Sequence, residues 1–162
     1  MDVFEAVKER GSIRKYKGEP IEQEDMEKMV EAARLAPSAK NLQPWKLVVV
    51  QDPEVLKELV PICQGQRFVE GAGAFVIGMI DGSKWSEVDL SIAMDHLSLE
   101  AVELGYGTCW IGAFDKEGLE RKFGLSDGYE PLVCMTVGVP AEKPRPPTKK
   151  SVEELVEWVR VE

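Results

Sequence analysis

Two short basic segments hold the side chains of this sequence whose types best suit anion binding. Residues 10–17 combine arginines and lysines with the hydroxyl of Ser12, and residues 143–150 combine Arg145 and several lysines with Thr148. Arginine forks and hydroxyls donate charge-assisted hydrogen bonds to phosphate. The two segments therefore favour a bound phosphate group, although ordinary solvated loops are an alternative explanation for each segment.

A third polar segment lies between two prolines, at residues 37–45. It contains Ser38, Lys40, Gln43 and the single asparagine of the chain, Asn41, directly before an apolar run. A rigid loop of this kind can contact the amide edges of a planar ligand. Alternatively, Asn41 serves the turn itself through local backbone hydrogen bonds. With the basic segments, the loop indicates a phosphorylated heteroaromatic cofactor.

The sequence is poor in the side chains that nucleophilic or metal chemistry requires. Its one histidine, His96, lies in an apolar helical stretch, and no G-x-S-x-G motif accompanies it. The three cysteines are far apart and form no C-x-x-C pair, which argues against zinc and dithiol sites. We therefore predict no metal site and no catalytic side chain, and expect a bound cofactor to carry the chemistry.

Composition limits the class of protein further. The chain has 162 residues and a net charge of −9, which predicts one domain spanning residues 1–162 and argues against binding to nucleic acid or an anionic membrane. There is no apolar run long enough to cross a membrane, and the acidic start does not resemble a signal peptide. We expect a cytoplasmic protein.

Hydrophobic periodicity predicts an α+β domain whose central sheet has helices on both faces. We predict strands at 45–50, 74–80, 108–112 and 131–139. We predict helices at 2–11, after Pro20 to before Pro37, from Pro53, at 87–104, at 115–123 and at 152–159. The helix at 87–104 is apolar on most of its circumference, so we expect it at the centre of the domain or at a subunit interface.

Three separated motifs carry a resemblance to a known family. They read R-x-S-x-R-x-[FY] at residues 10–16, A-P-S-x-x-N-x-Q-P-W at 36–45 and L-G-x-G-x-x-W-I-G at 104–112. In this order and with this spacing, the chain resembles the nitroreductase family of FMN-dependent NAD(P)H oxidoreductases along nearly its whole length. The resemblance implies a three-layer α/β/α sandwich with a central mixed, mainly antiparallel sheet, and an intertwined homodimer with two FMN sites. We expect a C-terminal arm that is short or missing.

The resemblance also implies a set of FMN-binding residues. Arg10, Gly11 and Ser12 would hold the phosphate and ribityl end, and Arg14 would lie near the ribityl chain and pyrimidine edge. One of Arg145, Lys149 and Lys150 would complete the phosphate site. The remaining implied residues are Gln64 and Arg67 near the pyrimidine, Ile111, Gly112 and Ala113 near flavin N5, and Pro37, Ser38 and Asn41 from the partner subunit.

The implied reaction is a ping-pong hydride transfer. NADH or NADPH would reduce the flavin at N5, and an acceptor such as a nitroaromatic or a quinone would then reoxidise it. Relatives of this fold that dehalogenate aromatic substrates or break down flavin are alternatives, as is a flavin-binding protein without catalysis.

Overall fold

The computed structural model describes residues 1–125, 127–145 and 147–160. Its helices are α1 (Val3–Glu9), α2 (Gln23–Arg34), α3 (Pro53–Ile62), α4 (Ser86–Glu103), α5 (Lys116–Phe123) and α6 (Val152–Leu155). Its strands are β1 (Trp45–Val50), β2 (Ala74–Ile80), β3 (Gly107–Ile111) and β4 (Glu130–Gly138), and short 3-10 turns lie at Ala39–Asn41 and Arg67–Val69. The predicted order of strands and helices is confirmed.

The four strands form one sheet in the order β1-β2-β4-β3, and every neighbouring pair is antiparallel. Buried β2 and β4 occupy its centre, where Ile77 pairs with both Val48 and Cys134. Among the described residues, parallel pairing is limited to one bridge, between Ser12 and Thr108. That bridge ties the first basic segment to edge strand β3.

Helices cover both faces of the sheet, which confirms the three-layer α/β/α arrangement. Helices α2 and α4 pack on one face, where Met29 and Leu97 are fully buried. Helices α3 and α5 pack on the other face, through Leu59 and Leu119. Successive side chains of β2 alternate between the two cores, as the pleat of a strand requires. The sheet is therefore buried on both sides and provides a rigid support for the loops at its ends.

Local signals account for several helix ends. Asp2 begins α1 with a reciprocal capping box: its side chain accepts a hydrogen bond from the Glu5 amide at 2.8 Å, and the Glu5 side chain accepts one from the Asp2 amide. Gly124 ends α5 in the left-handed conformation, with φ of 64°. These ends were predicted from residue type alone, because the stabilising hydrogen bonds lie within one helical turn.

The last predicted helix is wrong over its second half. Helix α6 ends at Leu155, and Val156 already has an extended backbone. The apolar side chains of residues 152–159 are all exposed in the single chain, including Trp158 at 69%. An amphipathic helix of this length draws its stability from packing its apolar side, and within this chain that side has no surface to pack on.

Helix α4 is central to the fold and also presents apolar surface. Leu90, Leu97 and Ala101 are buried against the sheet, whereas Val88 is half exposed and Leu99 only partly buried. Beside it, Phe4 on α1 is 68% exposed. Within the part of the chain that the structure describes, no helix combines the length and apolar character that crossing a bilayer would need.

Candidate functional site

The first basic segment is fixed between β3 and the chain that follows β4. The Ile13 amide donates to the Thr108 carbonyl at 2.9 Å, and the Lys17 amide donates to the Val139 carbonyl at 3.0 Å. In the opposite direction, the Ala141 amide donates to the Lys15 carbonyl at 2.8 Å. These backbone bonds place residues 10–15 directly beside residues 141–145.

The two predicted basic segments meet in one cavity of about 550 Å³. Among the described residues that line this cavity, which we call the basic cavity, five are cationic and one is a carboxylate. The carboxylate of Glu142 is already engaged, because it accepts a hydrogen bond from the Arg14 amide at 2.8 Å. The lining residues are Arg10, Ser12, Arg14, Lys15, Glu142, Lys143, Arg145 and Pro147.

A phosphate ester fits the donors of the basic cavity. Arginine guanidinium groups, lysine ammonium groups and a serine hydroxyl together form a donor-rich surface. A phosphate needs several such donors to replace its water shell. The net charge of the chain is −9, so a local excess of cations is against the overall trend. The cavity therefore concentrates positive potential at one place on an acidic protein.

Gly11 allows the close approach that shapes this cavity. A Cβ atom added at Gly11 would lie 2.7 Å from Cβ of Pro144, and at this distance one of the two segments must move. Residue 11 must therefore be glycine for the 10–14 segment and the Pro144–Arg145 backbone to lie side by side. The resemblance implied Gly11 as a cofactor residue, and the structure shows a packing reason for it.

Of the three residues considered as the last phosphate ligand, Arg145 lines the basic cavity. Lys149 and Lys150 lie further along the exposed segment and outside the described lining. The prediction from sequence named neither Lys15 nor Lys143 as a site residue, although both lie in the two basic segments. Lys15 and Lys143 lie within two positions of Arg14 and Arg145, so their charge and spacing in the sequence were the signal for them.

The predicted residues near the flavin ring lie together in a second group. The Gln66 side chain donates to the Cys63 and Ala113 carbonyls, both at 3.0 Å, and so joins the loop after α3 to the end of β3. The bond to Ala113 therefore joins the loop that contains Gln64 and Arg67 to the residues that follow β3. Gly112 and Ala113 are exposed, although the Ala113 carbonyl is already engaged by Gln66. The prediction missed Gln66, and no signal in the sequence separates it from Gln64.

The loop at 37–45 forms a turn that is held largely by its own hydrogen bonds. Ser38 accepts a hydrogen bond from the Gln43 amide through its Oγ at 3.1 Å, and Asn41 has a φ of 56°. Neither these two residues nor Pro37 belongs to the described lining of the basic cavity. Their predicted contribution from a partner subunit stays a prediction.

The three cysteines are buried thiols without nucleophilic character. Burial raises the pKa of Cys63 to about 11 and also raises that of Cys134. Burial likewise raises the pKa of Cys109, although nearby Arg14 and Ser12 act in the opposite direction. All three thiols are therefore protonated at neutral pH. Within the described residues, no group of three His, Cys, Asp or Glu side chains could hold a metal ion.

The chain is therefore an α+β protein, an α/β/α sandwich with a cation-lined cavity beside its edge strand β3. The sequence model of the Nitroreductase family matches residues 7–81 and 71–139. The chain belongs to this family, which confirms the family predicted from the three motifs.

Similar proteins and solved structures agree with this assignment. A candidate NADH dehydrogenase/NAD(P)H nitroreductase of Methanothermobacter thermautotrophicus is 34% identical, covering 89% of this chain and 80% of that protein. An FMN-dependent nitroreductase of Clostridium difficile superposes with a TM-score of 0.86 at 28% identity, covering 96% of this chain and 98% of the other. The structure of a candidate NADH dehydrogenase/NAD(P)H nitroreductase of Bacteroides thetaiotaomicron superposes with a TM-score of 0.89 at 26% identity, with 98% of each chain covered.

Proposed function

We propose that this protein is an FMN-dependent oxidoreductase that takes a hydride from NAD(P)H and passes it to a small acceptor such as a nitroaromatic or a quinone. The observation that carries the proposal is the basic cavity, whose described lining joins five cations from two distant segments. The names of similar proteins support it, since they include NAD(P)H nitroreductases and an FMN-dependent nitroreductase. The single domain over residues 1–162 and the cytoplasmic location stay predictions.

The residues of the chain would divide the work of binding. Arg10, Ser12 and Arg145 would hold the phosphate, and the exposed backbone of residues 112–113 would lie against the ring. A cation near the pyrimidine, Arg14 or Arg67, would favour negative charge on the cofactor. When bound, FMN supplies hydride acceptance and hydride donation, so the protein needs to supply only binding, orientation and electrostatics.

An anaerobic titration tests the proposed activity directly. We expect the purified protein loaded with FMN to be yellow, to lose its colour on addition of NADH or NADPH, and to regain it when a nitroaromatic or quinone is added. The rates with the two nicotinamides establish which one is preferred. Stable colour in the presence of both would contradict the proposal and indicate a flavin-binding protein with another role.

We also propose that the protein is a homodimer that binds one FMN per subunit. Exposed apolar side chains on α1, at Val88 and in residues 152–159 would be covered by a second copy. A dimer would also bring the loop at 37–45 of one subunit towards the cavity of the other, as the resemblance implies.

The expected result is a particle of twice the 18.1 kDa chain mass in light scattering. Replacing Phe4 with glutamate is expected to weaken the dimer, because the substitution places a charge on the proposed interface. The control variant is Glu9→Gln. Glu9 is also exposed on α1, and its replacement by glutamine removes one charge and adds no bulk. A monodisperse monomer that still binds flavin would refute the dimer.

A further inference from the structure

The turn at residues 39–43 has an unusual backbone. Lys40, Asn41 and Gln43 all have positive φ, at 52°, 56° and 52°. Residues other than glycine rarely adopt positive φ, and among them asparagine tolerates it best. The local sequence therefore favours other conformations, and the observed one needs support from the rest of the fold.

One side chain outside the turn provides that support. The Ala39 amide donates to both carboxylate oxygens of Asp89, at 3.1 Å and 3.2 Å. The other hydrogen bonds of residues 38–43 are internal, such as the Gln43 amide to Ser38 Oγ. Among the hydrogen bonds of the described residues, the pair from Ala39 is the one connection from segment 38–43 to another element.

Asp89 is also unusual for a carboxylate, because it is only 3% exposed. No salt bridge of the described residues involves it, so it has no cation to offset the cost of burial. It lies in the first turn of α4, where the helix dipole favours negative charge. The position of Asp89 at this helix end makes it a charged acceptor for the Ala39 amide.

We infer that Asp89 is a positioning residue for the flavin site. By fixing Ala39 against α4, Asp89 sets the positions of Ser38 and Asn41. These two residues precede and follow Ala39 in the turn and would line the flavin. The anchor lies on the same helix that presents Val88 to the proposed partner, so the turn and the subunit interface share one rigid support. The inference rests on the proposed function for its link to FMN, whereas the anchoring of the turn stands on the hydrogen bonds alone.

The anchor itself is tested in the protein without flavin. Hydrogen–deuterium exchange is measured for peptides covering residues 36–45 in wild type, Asp89→Ala and Asp89→Asn. We expect exchange at this segment to be about tenfold faster in Asp89→Ala, since the Ala39 amide loses its acceptor. Asp89→Asn keeps one acceptor oxygen and should lie between the two. Exchange unchanged from wild type in both variants would overturn the inference.

The effect on the site is measured in the same variants with FMN. We expect Asp89→Ala to bind FMN about tenfold more weakly and to alter the visible spectrum of the bound flavin, because misplaced lining residues change its surroundings. Asp52→Ala is the matched control: Asp52 also accepts two backbone amides, from Glu54 and Val55, but it caps α3 on the surface. The control should lower the melting temperature without changing FMN affinity or spectrum.

The outcomes separate the anchor from the proposed function. Faster exchange with wild-type FMN affinity and spectrum would reduce Asp89 to a purely structural residue and overturn the inference. A wild-type protein that binds no FMN refutes the proposed function and the flavin role of Asp89, while the exchange data still decide the anchor. If Asp89→Ala fails to fold, the test uses Asp89→Asn alone. The inference is then overturned if Asp89→Asn has the same FMN affinity and the same exchange rate at residues 36–45 as the wild type.

Discussion

Replacing Arg10 with alanine is expected to weaken FMN binding about tenfold to a hundredfold. A charge-assisted contact to phosphate contributes about 1.5–3 kcal/mol, and each 1.4 kcal/mol corresponds to a factor of ten in affinity. Arg10 is partly buried in the wall of the basic cavity, so its guanidinium is less hydrated than that of a surface arginine. The loss should therefore be close to the full value of the contact.

Quenching of flavin fluorescence on binding provides the measurement, and riboflavin provides the internal comparison. Riboflavin has no phosphate, so we expect its affinity to change little in Arg10→Ala. Arg121→Ala is the control variant, because Arg121 is 69% exposed on α5 and pairs with Glu117 on the same helix. Equal losses for FMN and riboflavin would show that Arg10 acts on the fold of the site and not on the phosphate. Unchanged FMN affinity would mean that the phosphate is held elsewhere.

Replacing Gly11 with alanine is expected to weaken FMN binding by a similar factor without adding or removing a charge. The new Cβ would meet Cβ of Pro144 at 2.7 Å, so the backbone of the second basic segment must move away. Overpacking of this kind costs about 1–3 kcal/mol. The displacement would take Arg145 away from Arg10 and Ser12, and a phosphate between them would lose contacts on one side.

A double-mutant cycle distinguishes this contact from a general loss of stability. Pro144→Gly removes the atom that the new Cβ would strike, so the double variant should recover FMN affinity relative to Gly11→Ala. Gly71→Ala is the control, since a Cβ there meets the Phe68 carbonyl only at an ordinary 3.8 Å. Additive effects of the two substitutions would show that the Gly11–Pro144 approach does not shape the site.

Much of the fold followed from local signals in the sequence. Strands β1 and β2 begin and end at the predicted residues, because a short, largely apolar run between turn residues specifies a strand. The prediction of a buried strand is correct for β2, whereas edge strand β1 is only partly buried and exposes Lys46. The capping aspartate of α1 and the terminal glycine of α5 act through bonds within a few residues. The family was likewise identified from three short motifs. For the site, residue types alone indicated a phosphate ligand in the two basic segments.

The tertiary structure determined which of those residues can act together. Arg10 and Arg145 are 135 positions apart in the chain, and they share a cavity because β3, β4 and segment 12–17 are joined by backbone hydrogen bonds. The same arrangement separates Arg145 from Lys149 and Lys150, which composition could not do. It also ended α6 at Leu155, since an amphipathic helix needs a surface to cover. Residue type and spacing report interactions within a helical turn or a strand, whereas contacts across the chain form only when the whole sheet is assembled.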